Sequence, residues 1–340
     1  MEKIVLPLLR TQTSTSKNNI IISSRVCIVR NIDALNFPEK LSTEEKRLIE
    51  NKISTLLHDL YTDQIVSTDI KKLESVHKFQ LMSDLNITNH FLENGHVFFA
   101  KKDGKWILLP NEYNHFYIFS IEFGQHLKEI YKNINSLLLS LDSHIHFAYT
   151  PEFGFSTYDI NFAGNGLYLS LLLNLTGLEL QGTIPSLIKT CEETGYKLTP
   201  YTTHPNSGLF LLQNTGSFGI SELDHIDHMT QLAQIIQSSE LLAKKELLED
   251  TENIELLISQ ITQLLAQDSL SYIDMSYIIT LVDFFDKSIY SICDRNLWLE
   301  QLFRLQNYSS IFSHISNFEE LNTYRAQLLK HLYTQLVQLK

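Results

Sequence analysis

From Ile20 to Val29 the chain is β-branched and apolar, broken by Ser23, Ser24 and Arg25; this predicts a strand. The stretch before it, residues 1–20, is polar after Leu9 and is expected to be a flexible arm. Ser42, with Glu45 three residues on, is a capping-box signature and predicts a helix running to about Tyr61. Shorter helices are predicted near 69–79 and 120–141. Between them, His96–Ala100 and Lys105–Leu109 flank Lys102-Asp103-Gly104 and predict a hairpin, followed by a strand over His115–Ile121. Residues 146–160 mix aromatics with Pro and Gly and read as loop and strand. Asn165–Leu178 is apolar with little alternation, so periodicity leaves a helix start and a buried element both open. Gly208–Gln213 predicts a short strand. Beyond it the pattern is almost wholly helical, with segments at 221–237, 240–249, 253–266, 272–288, 295–305 and 319–337. The layout is a mixed α/β body to about residue 220 and a helical region of about 120 residues, with no internal repeat.

Composition narrows the function classes. Lys and Arg number 27 against 39 Asp and Glu, a net charge of −12 over 340 residues, which argues against a nucleic-acid binder with a basic face. The length suggests about two domains. Cys27, Cys191 and Cys293 are too far apart for a disulfide framework or a zinc knuckle. No signal-peptide core opens the chain, and Leu167–Leu180 is too short and too polar to span a bilayer, so a cytoplasmic protein without membrane contact is expected. None of the 13 histidines sits in an HExxH. His225 and His228 share a helix face with Asp224, which fits either a metal site or a solvated helix near a domain boundary.

Four polar strings stand out. In Ser23–Asn31 an extended backbone sends Arg25 and Cys27 to one face and Arg30 to the other; an arginine beside hydroxyls suits a phosphate, and a solvated edge strand is the plainer reading. Asn111–His115 places Glu112 in a turn, where it serves as a base, a cation ligand or simply a turn residue. Phe162–Gly166 is a glycine turn able to offer backbone N–H groups to an anion, but no GK[ST] accompanies it. Gln213–Gly219 is a polar turn after a strand. No Ser-His-Asp order, CxxC or GxGxxG is present.

The order and spacing of these strings resemble the ATP:guanido phosphotransferase family, most closely its bacterial protein-arginine kinase branch. Ser23-Ser24-Arg25-Val26 with Arg30-Asn31, then Phe37-Pro38 and Leu41-Ser42, is similar to the SSRVRxxRN…FPxxLS start of the catalytic region. Asn111–His115 is similar to NEEDH, Phe153–Gly166 to FGYLTSCPTNVGTG, and Gln213–Glu222 to SNQVTLGxSE. The resemblance covers roughly residues 15–230. It implies an α+β fold: an antiparallel sheet surrounded by helices, followed by a helical C-terminal domain. The implied divisions are an arm over 1–20, a guanido-phosphotransferase-like domain over 21–225 and a helical domain over 226–340, which matches in length and position the bacterial branch's phosphoarginine-recognising domain.

The family moves the γ-phosphoryl group of ATP to a guanidinium nitrogen, using several arginines and magnesium on the phosphates, acidic groups on the guanidinium and a cysteine beside it. Against that pattern Arg25 and Glu112 are kept. Cys27, Tyr117 and Tyr168 stand where the family has arginines, and a further arginine falls on Tyr196 or Lys197, Tyr196 being favoured by counting back from Gly219. Asp159 takes the place of the family cysteine, and CPTN reads Asp159-Ile160-Asn161-Phe162. The acidic loop falls near Pro200–Pro205, without a carboxylate. Each lost buried donor costs a few kcal/mol in the transition state. The resemblance with these losses implies a degenerate, non-catalytic member, able to form a homodimer, that binds a protein partner: an arginine- or phosphoarginine-bearing protein, a related kinase or activator, or stress-protease machinery. The alternative is an active kinase with a rearranged site, Glu112 and Asp159 catalytic and Arg25, Arg30 and Lys197 holding ATP and Mg2+.

Overall fold

The alternation at the start of the chain becomes β1 (Ile21–Arg30), a central strand of the sheet in the computed structural model. The structure describes residues 20–73, 78, 81, 85, 87–201, 207–304 and 318–339. The expected arm over 1–19, most of the 69–79 helix beyond Leu73 and the Pro200–Pro205 loop from 202 onward lie outside the described residues. In chain order there follow α1 (Thr43–Tyr61), β2 (Ile65–Asp69), α2 (Asn89–Asn94), β3 (Val97–Lys101), β4 (Ile107–Pro110), β5 (Phe116–Phe123), α3 (Leu127–Asp142), β6 (Tyr149–Thr150), β7 (Gly154–Phe155), β8 (Leu167–Asn174), α4 (Thr176–Leu180), α5 (Ile184–Glu193), β9 (Tyr196–Pro200) and β10 (Leu209–Asn214). The helical region comprises α6 (Glu222–Glu249), α7 (Thr251–Ala266), α8 (Tyr272–Phe284), β11 (Tyr290–Ile292), α9 (Arg295–Arg304), α10 (Phe318–Leu336) and β12 (Val337–Leu339). Ser42 does cap α1: its hydroxyl accepts from Glu45 N and the Glu45 carboxylate accepts from Ser42 N, the full capping box.

Eight strands form one antiparallel sheet in the order β2-β3-β4-β5-β1-β8-β10-β9. One face, carrying Val26, Ile28, Ile118, Leu169 and Leu212, packs on Ile53 and Leu57 of α1, Ile130 and Ile134 of α3, and Met229 and Ile236 of α6. The other face is covered from two directions. Cys27, Val29, Phe98 and Phe119 lie under Leu81, Leu85, Phe91 and Leu92. Phe123, Leu172 and Leu209 lie under the C-terminal helices, through Met275, Ile278 and Trp298. A strand buried on both faces has no polar side to alternate with. This is why the apolar run after Asn165 is β8, with helix only from Thr176.

Three expected elements differ. The helix over 120–141 begins at Leu127, because Ser120–Phe123 pair with Ser23–Val26 of β1 and Gly124, at φ +82°, turns the chain out of the sheet. The segments 221–237 and 240–249 are one helix of 28 residues. Ser238 and Ser239, which read as a break, donate their hydroxyls to Gln234 O and Ile235 O one turn back and stay helical. The segment 272–288 ends its helix at Phe284, and the chain from Tyr290 to Ile292 pairs with Val337–Leu339, so the region is not wholly helical. α6 runs unbroken through residue 225 and packs against the sheet as far as Ala243. No helix among the described residues is long and apolar enough to cross a membrane.

Candidate functional site

Polar residues of the recognisable strings first knit the loops around β1. Asn31 donates to Asn114 Oδ1 (2.7 Å) and to Ser156 O (2.9 Å), and its own Oδ1 accepts from His115 N (2.9 Å). Asn114 Oδ1 also accepts from Tyr158 N (2.9 Å). His115 is fully buried and its Nδ1 accepts from Ile32 N; burial lowers its pKa to about 4. These bonds set the turn holding Glu112 beside the segment that ends in Asp159. Glu112 is buried, and its carboxylate accepts from the Thr88 hydroxyl (2.9 Å) and from Tyr113 N (2.6 Å). The Asp159 carboxylate accepts from Asn161 N (3.0 Å) and Asn161 Nδ2 (3.1 Å) and caps the short turn Ile160–Phe162.

The sheet register decides which side chains meet. Arg25 pairs with Ile121 on one side and Ser170 on the other; Ser170 pairs with Gln213, and Gln213 with Lys197. Directly opposed residues point to one face, so Arg25 and Lys197 share a row, Arg25 half-buried beside Leu85 and Lys197 exposed. Three inter-strand steps separate them, about 14 Å. The next row is Phe119, Cys27 and Tyr168.

Arg25 is half-buried and is engaged at both terminal nitrogens. Its Nη2 donates to the Tyr117 hydroxyl (3.2 Å), its Nη1 to Leu85 O (3.2 Å), and its guanidinium lies 4.5 Å from the Phe119 ring centre. Burial pushes the Cys27 thiol up to about 12 despite the pull of Arg25. Burial likewise raises Tyr117 above the ordinary phenol range. Phe162 stacks on Tyr168 at 3.6 Å between ring centres and 14° between planes. The Tyr168 hydroxyl is raised further still, by burial first and then by Cys27 and the carboxylates of Asp159 and Glu112. The positions matched to family arginines at Cys27, Tyr117 and Tyr168 thus form one neutral, largely buried cluster with Phe162 against it.

The remaining expected residues go elsewhere. Arg30, on the opposite face, donates to Val29 O and Asn165 O (both 2.8 Å), covers the Phe155 ring at 3.7 Å and faces Glu222 at 3.8 Å. Burial lowers its pKa to about 10 even against Glu222. Gly166, at φ +63°, leaves it room: a Cβ there would lie 2.9 Å from Arg30 Nη1 and 2.6 Å from Val29 O. Tyr196 also lies on the face away from Arg25, in the core, its hydroxyl donating to His225 O (3.5 Å). Of the two positions matched to the last arginine, then, Lys197 is the one on the Arg25 face. His225 is buried and His228 exposed, so the pair does not converge. Among the described residues, ligand-like spacing of histidine and carboxylates occurs at Glu122, His126 and Glu129, toward the opposite end of β5 from Glu112. Thr88 escaped the sequence reading; its one signal is the Thr-Asn dipeptide opening α2, where it caps Phe91 N while holding Glu112.

The family model for the ATP:guanido phosphotransferase C-terminal catalytic domain matches residues 48–242. A protein-arginine kinase of Clostridium acetobutylicum is 23% identical over 238 residues, covering 68% of this chain and 70% of that one. A taurocyamine kinase of Schistosoma mansoni is 26% identical over 230 residues, covering 62% of this chain and 30% of that one. Among solved structures, the duplicated taurocyamine kinase of Schistosoma mansoni with bound transition-state-analog components superposes with a TM-score of 0.62 at 20% identity, over 75% of this chain and 37% of that one. A lombricine kinase gives 0.56 at 16% identity, over 65% and 67%. At these identities the superpositions establish the fold, an antiparallel sheet surrounded by helices.

Proposed function

The chain belongs to the ATP:guanido phosphotransferase family, and on that premise we propose that it is a member whose phosphate site is closed by aromatic side chains and which works by holding a protein partner. The observation that carries this reading is the Cys27–Tyr117–Tyr168 cluster, its thiol buried and its two phenol rings half-buried, with Arg25 donating into it. A magnesium triphosphate needs several converging cations in a water-poor site. On this face the row holds Arg25, bonded to Tyr117 and Leu85, and Lys197 about 14 Å away across three strands. Arg30 is committed to two carbonyls on the other side. Among the described residues, these cations do not fit ATP and Mg2+.

Of the part of the site that would face a guanidinium, Glu112 is kept and Asp159 adds a second carboxylate in place of the family cysteine. Glu112 is fixed by Thr88 and Tyr113, and it and Asp159 both act on the Tyr168 hydroxyl. This favours a partner bearing arginine or phosphoarginine, whether a related kinase, an activator or stress-protease machinery, met in the cytoplasm. It is also what supports the competing reading, an active kinase with Glu112 and Asp159 as its acidic groups. The same proposal divides the chain into a body over 21–225 and a helical domain over 226–340, with α6 shared between them.

Calorimetry with Mg-ATP on the full chain separates the two readings. Absence of binding up to millimolar nucleotide is the expected result. Micromolar binding, with phosphoarginine formation lost in Glu112→Gln, would establish the rearranged kinase instead.

A further inference from the structure

The loops beyond Glu112 expose large apolar side chains. Phe153, Phe218 and Ile160 are 65%, 61% and 81% exposed, and Tyr149 is exposed beside them. They belong to one surface. The rings of Phe153 and Phe218 lie 6.5 Å apart, although 65 residues separate them in sequence. Their loops are bound together: Ser217 N donates to Asn161 O (2.9 Å) and the Ser217 hydroxyl to Phe162 O (2.7 Å). Phe155 and Gly164 exchange backbone hydrogen bonds of 2.7 and 3.1 Å. A Cβ on Gly164, at φ +111°, would meet Ser217 O at 3.0 Å, so the two loops approach as closely as a glycine permits. Exposed aromatics on a rigid support lose little entropy when covered, which is the physical character of an interface hot spot.

Charge gives the partner's chemistry. Residues 149–163 and 214–224 carry Glu152, Asp159, Glu222 and Asp224 and no lysine or arginine. Glu222 is answered by Arg30 from outside these loops. Tyr158, between the aromatics and Asp159, donates its hydroxyl to a further carboxylate, Glu39 (3.1 Å). These loops thus bring exposed aromatic rings and only acidic charge to the surface.

We propose that the Phe153–Phe218 surface is where this protein docks a cationic protein segment whose apolar side chains cover the two rings. The proposal rests on the partner-holding reading above and adds the surface and the chemistry that surface accepts. Recognition here is by apolar contact and net positive charge, with lysine serving as well as arginine, and does not depend on Glu112.

Fluorescence anisotropy with a labelled peptide of alternating leucine and lysine tests it, beside a leucine–glutamate peptide and the double variant Phe153→Ser/Phe218→Ser, which keeps the charge unchanged. The lysine peptide is expected to bind more tightly than the glutamate peptide, and the double variant to lose affinity by about tenfold or more, as for a hot-spot pair. Equal affinity of variant and parent for the lysine peptide overturns the proposal. So does an arginine-for-lysine peptide that binds both proteins equally but fails on Glu112→Gln; that result moves recognition to Glu112 and leaves the partner-holding reading standing. Failure of that reading itself is seen separately, as micromolar Mg-ATP binding by the parent.

Discussion

The Tyr117 hydroxyl accepts a hydrogen bond from Arg25 across adjacent strands, 3.2 Å from Nη2. The arginine that opens the first family-like string therefore gives a donor to a side chain that the proposed reading matches to another family arginine. Two arginines in that relation would repel and would be drawn together by a polyanion between them. An arginine and a phenol satisfy each other, and the cluster is stable without a ligand.

Tyr117→Phe removes this acceptor while keeping the ring. A loss of about 1 kcal/mol in urea unfolding is expected, the net worth of a buried hydrogen bond. Cys27→Arg, the change toward the family pattern, is expected to cost about 3 kcal/mol or more, because a long cation enters a filled space beside Arg25. A Cys27→Arg protein as stable as the parent and able to bind Mg-ATP would show that the phosphate site is still open.

Arg30→Lys tests the opposite face. Lysine keeps the charge but not the planar fork that reaches Val29 O and Asn165 O while covering Phe155. The expected result is roughly 2 kcal/mol less stability, with unchanged affinity for the leucine–lysine peptide. Loss of peptide affinity without loss of stability would make Arg30 a ligand-binding residue.

Glu240 of α6 sets a pH dependence. Its fully buried carboxylate accepts from Gly177 N (2.6 Å) and Leu178 N (3.0 Å), tying α6 to α4, and burial raises its pKa to about 7. A carboxyl raised on folding binds more protons in the native state, so its stabilisation is whole below about pH 4.5 and is lost as pH rises through 7. The loss approaches about 3 kcal/mol. His115, lowered to about 4, works in the other direction, costing stability as pH falls from 6.5 toward 4. Glu240→Gln should remove the first trend and leave the second. Parallel pH–stability curves for parent and variant would exclude Glu240 as its origin.

Thiol reactivity reports the closure of the cluster. Cys293 is exposed, whereas Cys27 and Cys191 are buried, with thiols pushed up to about 12 and about 11 by burial. An aromatic disulfide reagent on the native protein should titrate Cys293 quickly and the other two only on unfolding. Fast modification of Cys27, assigned by peptide mapping, would mean that its strand row is open to small molecules.

Much was legible along the chain because its causes are local. The Ser42–Glu45 box needs four residues, the hairpin around Gly104 about a dozen, and the opposite facing of Arg25 and Arg30 only the two-residue period of a strand. The polar residues of the strings were legible as a set but not in their work. Asn31, Asn114 and His115 bind one another across more than 80 residues, so they support the site as its frame. The Ser238-Ser239 pair misled, since a hydroxyl that bonds back one turn looks in sequence like one that ends a helix.

By itself the sequence determined the family, the order of most elements of the body and the net charge of −12, and its resemblance to the family proposed Cys27, Tyr117 and Tyr168 as positions of family arginines. Only the tertiary structure decided what surrounds Arg25. Register across remote strands brought Tyr117, Cys27 and Tyr168 together beside Arg25, set Lys197 three strands away and sent Tyr196 into the core. The reason is that lateral register is fixed by the pairing of distant segments and by burial of one face, and a slip of one residue would exchange every side chain between the two faces.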